Sequence, residues 1–87
     1  MRIFYGVYNI LLDVTNICLT KLMHTNIITI PSSDYTRANY FGDPIVGTIK
    51  KIFILNDNVL QEYSDNYVIF INTINNTVST SDARPIL

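Results

Sequence analysis

The side chains able to do chemistry are few. His24 is the single histidine and Cys18 the single cysteine. As a nucleophile and base on one helix they would be six residues apart. At ~100° per residue this is about 600° of rotation and puts them on nearly opposite sides. Cys18 therefore reads as a core residue. No second histidine and no cysteine cluster accompanies His24, so no metal is expected. No serine sits in the sharp strand-to-helix turn of a nucleophile elbow, and no GxxxxGK[ST] phosphate loop is present. No catalytic residue and no cofactor is expected.

The richest polar stretch is residues 32–47, where Asp34, Tyr35, Arg37, Asn39, Tyr40 and Asp43 fall close together. Tyr and Arg combine contact area with directed polar groups and are favoured at recognition surfaces. Asp34, Tyr35, Arg37, Tyr40 and Asp43 are accordingly the candidate binding residues. The competing reading is that Arg37 pairs with Asp34 or Asp43 and pins the segment. Gly42-Asp43-Pro44 followed by Gly47 belongs to the same stretch. Pro44 fixes its own φ and pushes Asp43 toward extended geometry, and Asp43 accepts from the local backbone. These residues read as a rigid loop that sets up the next strand, or as part of the binding patch. Asp13 and Thr15 are a second polar pair, read as a helix cap with Asp13 as an alternative ligand.

The elements that must position these residues are mostly strands. Residues 2–8 place Ile3, Tyr5 and Val7 on one face, and Gly6 on the other signals a bulge or a close neighbour. Residues 10–14 form a second strand. Residues 16–24 hold Cys18, Leu19, Leu22 and Met23 at i, i+4 spacing and predict the one short helix. Residues 27–30 are β-branched up to Pro31 and predict a strand. Residues 32–47 carry no apolar period and read as a long loop, functional or packed on itself. Strands follow at 48–55, with Ile49, Lys51, Phe53 and Leu55 on one face, and at 59–63, 67–74 and 77–80. They are separated by Asn- and Asp-rich turns. Residues 67–74 are apolar on both faces except Asn72, so both faces are expected to be covered. Tyr5, Tyr8, Tyr63 and Tyr67 fall in or beside strands and would line a face together or pair across strands.

Short strands with regular turn signals predict an all-β or β-rich α+β fold, a small antiparallel sandwich or barrel with one short helix. At 87 residues the chain is one domain, with residues 1–80 as its body and 81–87 as a flexible tail. Charged residues are 15% and the net charge is −1, too little positive charge for a nucleic-acid footprint. The longest apolar runs are far short of a spanning helix, so no membrane insertion is expected. One cysteine and the lack of a signal-peptide pattern favour a reducing, cytoplasmic compartment. The Asn75-Asn76-Thr77 match to the N-glycosylation pattern carries little weight in so Asn-rich a chain.

One constellation is familiar: Tyr5-Gly6-Val7, Asp13-Val14-Thr15, Phe41-Gly42-Asp43-Pro44, Gly47, Lys50 or Lys51, then Ile52-Phe53-Ile54. It resembles a small domain of the form YG…DVT…GDPxxGxxKxLxI found in uncharacterised proteins of bacteria, fungi and large DNA viruses. It is also similar to the C-terminal region of the DnaJ subfamily C member eleven proteins. The resemblance covers roughly residues 4–63. It implies a β-rich accessory module without established catalytic residues. The His-Pro-Asp motif of a J-domain is absent, so no chaperone role follows. Low charge with abundant Ile and Asn is similar to large DNA viruses of protists and implies a viral origin. The expected function is a non-catalytic structural or protein-interaction module with a protein partner or itself. The alternative is a carbohydrate-type ligand module using residues 32–47.

Overall fold

The computed structural model describes residues 1–83. Their strands are β1 (Arg2–Val7), β2 (Ile10–Asp13), β3 (Met23–His24), β4 (Ile27–Ile30), β5 (Lys51–Asn56), β6 (Val59–Tyr63), β7 (Tyr67–Asn72) and β8 (Thr77–Asp82). They form two four-stranded antiparallel sheets, ordered β2-β1-β5-β6 and β3-β4-β7-β8. The β-rich antiparallel architecture expected from the alternation is present and is compatible with a small β-sandwich.

Period-two burial explains how the sheets meet. Ile3 and Tyr5 of β1, Ile52 and Ile54 of β5, Ile28 and Ile30 of β4, and Ile69 and Ile71 of β7 form one buried cluster. Val14, Cys18 and Phe41 complete it. β-Branched isoleucine suits both the pleated backbone and a core between sheets. On β7, Val68 and Phe70 opposite the core are also half-buried, so neither face of that strand is bare.

The first helix is shorter than the apolar spacing suggests. Thr15–Ile17 is one α-helical turn (α1), and Cys18–Leu22 continue it as a π-helical turn. His24 is not helical, because Met23 and His24 pair with Ile28 and Ile27 as β3. Val14, not Asp13 or Thr15, occupies the cap position. The Thr15 N–H donates to Asp13 Oδ1 at 3.0 Å. Thr15 Oγ1 accepts from the Ile3 N–H at 2.8 Å and so ties the turn to β1.

A second helix, α2 (Asp34–Phe41), stands where the sequence predicts a loop. Its stop and start signals are ordinary. Ser33 caps it by accepting from the Thr36 N–H, and Gly42, at φ 84°, ends it. What hides it is the inward face, which is Arg37 and Phe41 in place of aliphatics.

Other strand limits shift by a few residues. β5 begins at Lys51, because the Lys50 N–H is donated to Asp34. β7 ends at Asn72, whose Oδ1 accepts from the Ile74 and Asn75 amides and starts the turn. β8 continues through Ser81 and Asp82, opposite Val68 and Tyr67, so those two residues are sheet and not tail. Ala83 is also held, its N–H donating to the Asn66 carbonyl at 2.8 Å, and 84–87 of the expected tail lie outside the described residues.

Candidate functional site

The polar side chains singled out between 32 and 47 meet at one end of the two sheets, around a lysine. Lys50 follows the inward period of β5, two residues before Ile52, and its side chain is 1% exposed. A buried ammonium needs compensation, and Lys50 has it on several sides. Nζ lies 2.9 Å from Asp43 Oδ1 and 3.1 Å from Asp34 Oδ2. It also donates to the Ile45 and Thr48 carbonyls. The Tyr5 ring centroid is 5.8 Å away, within cation–π range.

Asp34, in the first turn of α2, is the hub. Its Oδ1 accepts from the Lys50 N–H at 3.1 Å and from the Tyr5 hydroxyl at 2.5 Å. Tyr5 in turn packs its ring against Phe41, centroids 5.3 Å apart. Asp43 Oδ1 also accepts from the Ile45 N–H at 3.1 Å, as expected of an Asp before Pro in a turn. One acid therefore stands at each end of α2 and the two grip the same ammonium.

The electrostatics follow from these contacts. Burial works to raise the Asp34 pKa, but hydrogen bonds from Tyr5 and Lys50 and the Lys50 charge outweigh it and hold it below the ordinary carboxylate value. Burial works to lower the Lys50 pKa, and Asp43 and Asp34 overcome it, so the amine stays protonated above its usual range. Burial and the Asp34 hydrogen bond push the Tyr5 phenol well above its ordinary value. At neutral pH the group is thus an ammonium, a carboxylate and a neutral phenol. None of these three is a free amine or phenolate nucleophile.

Arg37 does not pair with Asp34 or Asp43. Fully buried on α2, it donates from Nε to the Pro31 carbonyl at 2.8 Å and from Nη2 to the Tyr67 carbonyl at 2.7 Å. Nη1 is buried without a hydrogen bond among the described residues. Burial pulls its pKa down, opposed by Asp65, Tyr5 and Asp34. Arg37 thereby fastens α2 to the ends of β4 and β7. The Ser33 N–H adds a bond to the Asp65 carbonyl at 2.7 Å.

The five candidate binding residues thus divide. Asp34, Arg37 and Asp43 point their polar atoms inward, whereas Tyr35 is 78% and Tyr40 43% exposed. Five helical residues separate these two rings by about 140°, so they do not make one aromatic face. Gly42 and Gly47 take positive φ of 84° and 82° around Asp43-Pro44. Asp13 forms an ion pair with Arg2 and Thr15 bonds β1, far from Lys50 in role. Tyr5 is fully buried while Tyr8 is 75% exposed, so the four strand tyrosines do not line one face. Cys18 lies in the core, and burial, with the Asp13 charge, pushes its thiol up to about 12. Among the described residues no three His, Cys, Asp or Glu side chains are placed to share a metal ion, and no helix is long and apolar enough to cross a membrane.

Lys50 was legible only as half of a basic pair. Counting in twos back from Ile54 and Ile52 would have placed it in the core. No family model matches the chain, and neither a curated protein nor a solved structure matches it.

Proposed function

We propose that this chain is a non-catalytic protein-interaction module that associates with a second copy of itself by adding strand to strand along β2. One observation carries the reading. β2 is an outer strand of its sheet, and Ile10, Leu11 and Leu12 are all exposed on it. An outer strand offers unpaired backbone donors and acceptors, and proteins normally blunt it with lysine, proline, a bulge or brevity. Of the other edges, β3 has only two residues and β8 is Thr- and Ser-rich, while β6 exposes Val59 and Leu60 but follows them with the polar Gln61 and with Glu62, which pairs with Lys51. Along β2 aliphatic side chains stand on both faces, and the one charge, Asp13, is neutralised by Arg2.

The polar cluster supports the same reading from the other side. Its carboxylates and buried cations are consumed in holding α2 and the 42–50 segment. A cytoplasmic, viral setting belongs to the same proposal and rests on the single cysteine and on the Ile and Asn content.

Light scattering coupled to size exclusion, across a wide concentration range, tests it. The expected result is a dimer or larger assembly for the native chain and a monomer for Leu11→Lys. A native chain that stays monomeric throughout, or an assembly indifferent to Leu11→Lys, overturns it.

A further inference from the structure

The two sheets are closed unequally. The π-helical turn packs on β4 and α1 on β1, covering one side, while Tyr5, Asp34 and Arg37 lock α2 over an end. The side between the outer strands β6 and β8 has no such cover. There a cleft of about 340 Å³ opens, lined by Ile54, Asn56, Asp57, Val59, Gln61, Tyr63 and Val78.

Its construction is specific. Ile54 pairs with Gln61 and Asn56 with Val59 across β5 and β6, so these four share the inward face. The floor is the apolar core edge, and polar groups begin where the opposite sheet falls away. Asn56 Nδ2 donates to the Asn76 carbonyl at 2.9 Å, a bond between the two sheets that fixes the width of the mouth. Asp57 and Asn58, at φ 50° and 64°, form the tight hairpin turn that holds Asp57 at the rim. The Tyr63 hydroxyl donates to Gln61 Oε1 at 2.9 Å, which orients that amide and leaves its nitrogen as a donor. The Asp57 carboxylate has no hydrogen bond or ion pair among the described residues.

We infer that this cleft binds a neutral polyhydroxylated ligand, a saccharide of one or two residues. The volume lies at the low end of the ~300–1,000 Å³ of small-molecule sites. The lining asks for a ligand that donates to a carboxylate and accepts from an amide within one small space. A hydroxyl does both. The C–H faces of a sugar ring match Ile54, Val59, Val78 and the Tyr63 ring. An anion would be opposed by Asp57, a simple hydrocarbon would leave the polar rim of Asp57 and Gln61 unused, and an amine would use Asp57 alone. The site is on the far side of its sheet from β2, so its failure would leave the self-association proposal standing, and the reverse.

The test is amide-resolved NMR titration of the full chain with methyl α-glucoside, methyl β-galactoside, N-acetylglucosamine and maltose, with putrescine as the cationic probe. The expected result is saturable shifts confined to Asn56, Asp57, Gln61, Tyr63 and Val78 with at least one saccharide. Asp57→Asn, which keeps a side chain suited to the left-handed turn, and Gln61→Ala should each weaken that saccharide at least about tenfold, the loss of one charged or oriented hydrogen bond, with the thermal midpoint within a degree or two of native. Absence of shifts with every saccharide at millimolar concentration overturns the inference. So do shifts that persist in both variants, or equal shifts with putrescine.

Discussion

Lys50 Nζ lies 2.9 Å from Asp43 Oδ1 although the lysine side chain is all but sealed from solvent, so a turn aspartate reaches inward to meet the lysine that immediately precedes β5. With Asp34 on its other side, the ammonium joins the two ends of α2 to the first residues of β5. Replacing it with an apolar side chain of similar length leaves both carboxylates without their counterion. Lys50→Met is expected to cost about 3 kcal/mol, near the low end of the ~3–5 kcal/mol for breaking a buried pair because both acids retain some solvent contact. Lys51, next in sequence, pairs with Glu62 on the surface at 2.8 Å, and Lys51→Met should cost under ~1 kcal/mol. Urea unfolding midpoints of the two variants check the contrast. Equal losses would mean that the cluster does not anchor α2.

The same cluster sets the pH limits of the fold. Asp34 of this cluster, and Asp13 in its separate pair with Arg2, are held below the ordinary carboxylate value in the folded chain. The unfolded chain then takes up protons first as pH falls. Their contribution is full above the ordinary carboxylate value of ~4 and is lost as pH drops through the lower folded values. Lys50 and Tyr5 are shifted upward. Their contribution is full below their ordinary values of ~10 and is lost as pH rises through the folded ones. Denaturant midpoints across pH should therefore fall on both flanks. Asp34→Asn should flatten the acid flank, and an unchanged acid slope in that variant would refute the assignment.

Arg37 separates a structural role from a binding one. Arg37→Ala leaves the Pro31 and Tyr67 carbonyls without their donor and opens space in the core. The expected loss is about 3 kcal/mol, which for a domain of this size lowers Tm by more than ~10 °C. Tyr35→Ala, at an exposed ring on the same helix, should leave Tm within a degree or two of native. Scanning calorimetry of both decides it, and a native-like Tm for Arg37→Ala would return Arg37 to the list of ligand contacts.

Period two was legible wherever β-branched residues filled both sheets. Ile3 and Tyr5 follow it into the core, but in β5 the core face is Ile52 and Ile54 and not the alternate face of Ile49, Lys51, Phe53 and Leu55, on which Ile49 and Lys51 are exposed; the Asn- and Asp-rich turns end the strands close to where they are expected. The candidate site was legible in its parts but not in its centre. α2 escaped notice because its inward stripe is Arg37 and Phe41, and no apolar template counts an arginine as core. Lys50 escaped for the same reason: a charged side chain on the inward period is read as an interruption until its counterions, 16 and 7 residues away in sequence, are brought beside it by α2 and its following loop. The helix at Cys18 was legible in type but not in extent, since the pairing of Met23 and His24 with β4 depends on contacts that spacing does not reveal.

Gly6 joins the core to the proposed association edge. A Cβ on Gly6 would sit 2.0 Å from the Ile10 carbonyl oxygen and 3.0 Å from its carbon, with Gly6 at φ 155°. Those atoms belong to the β2 backbone and cannot turn aside as a side chain would. Gly6→Ala must therefore displace the start of β2 from β1. The register Gly6↔Leu11 and Val7↔Ile10 would be lost first, while Phe4↔Asp13, nearer the Arg2–Asp13 ion pair, has a second anchor. Hydrogen exchange should show faster amides at residues 10–12 with little change in β7, and light scattering should show the loss of assembly together with that local opening. Exchange unchanged at residues 10–12 would show that the hairpin absorbs the methyl group. Assembly that persists despite faster exchange there would show that β2 is not the edge through which copies pair.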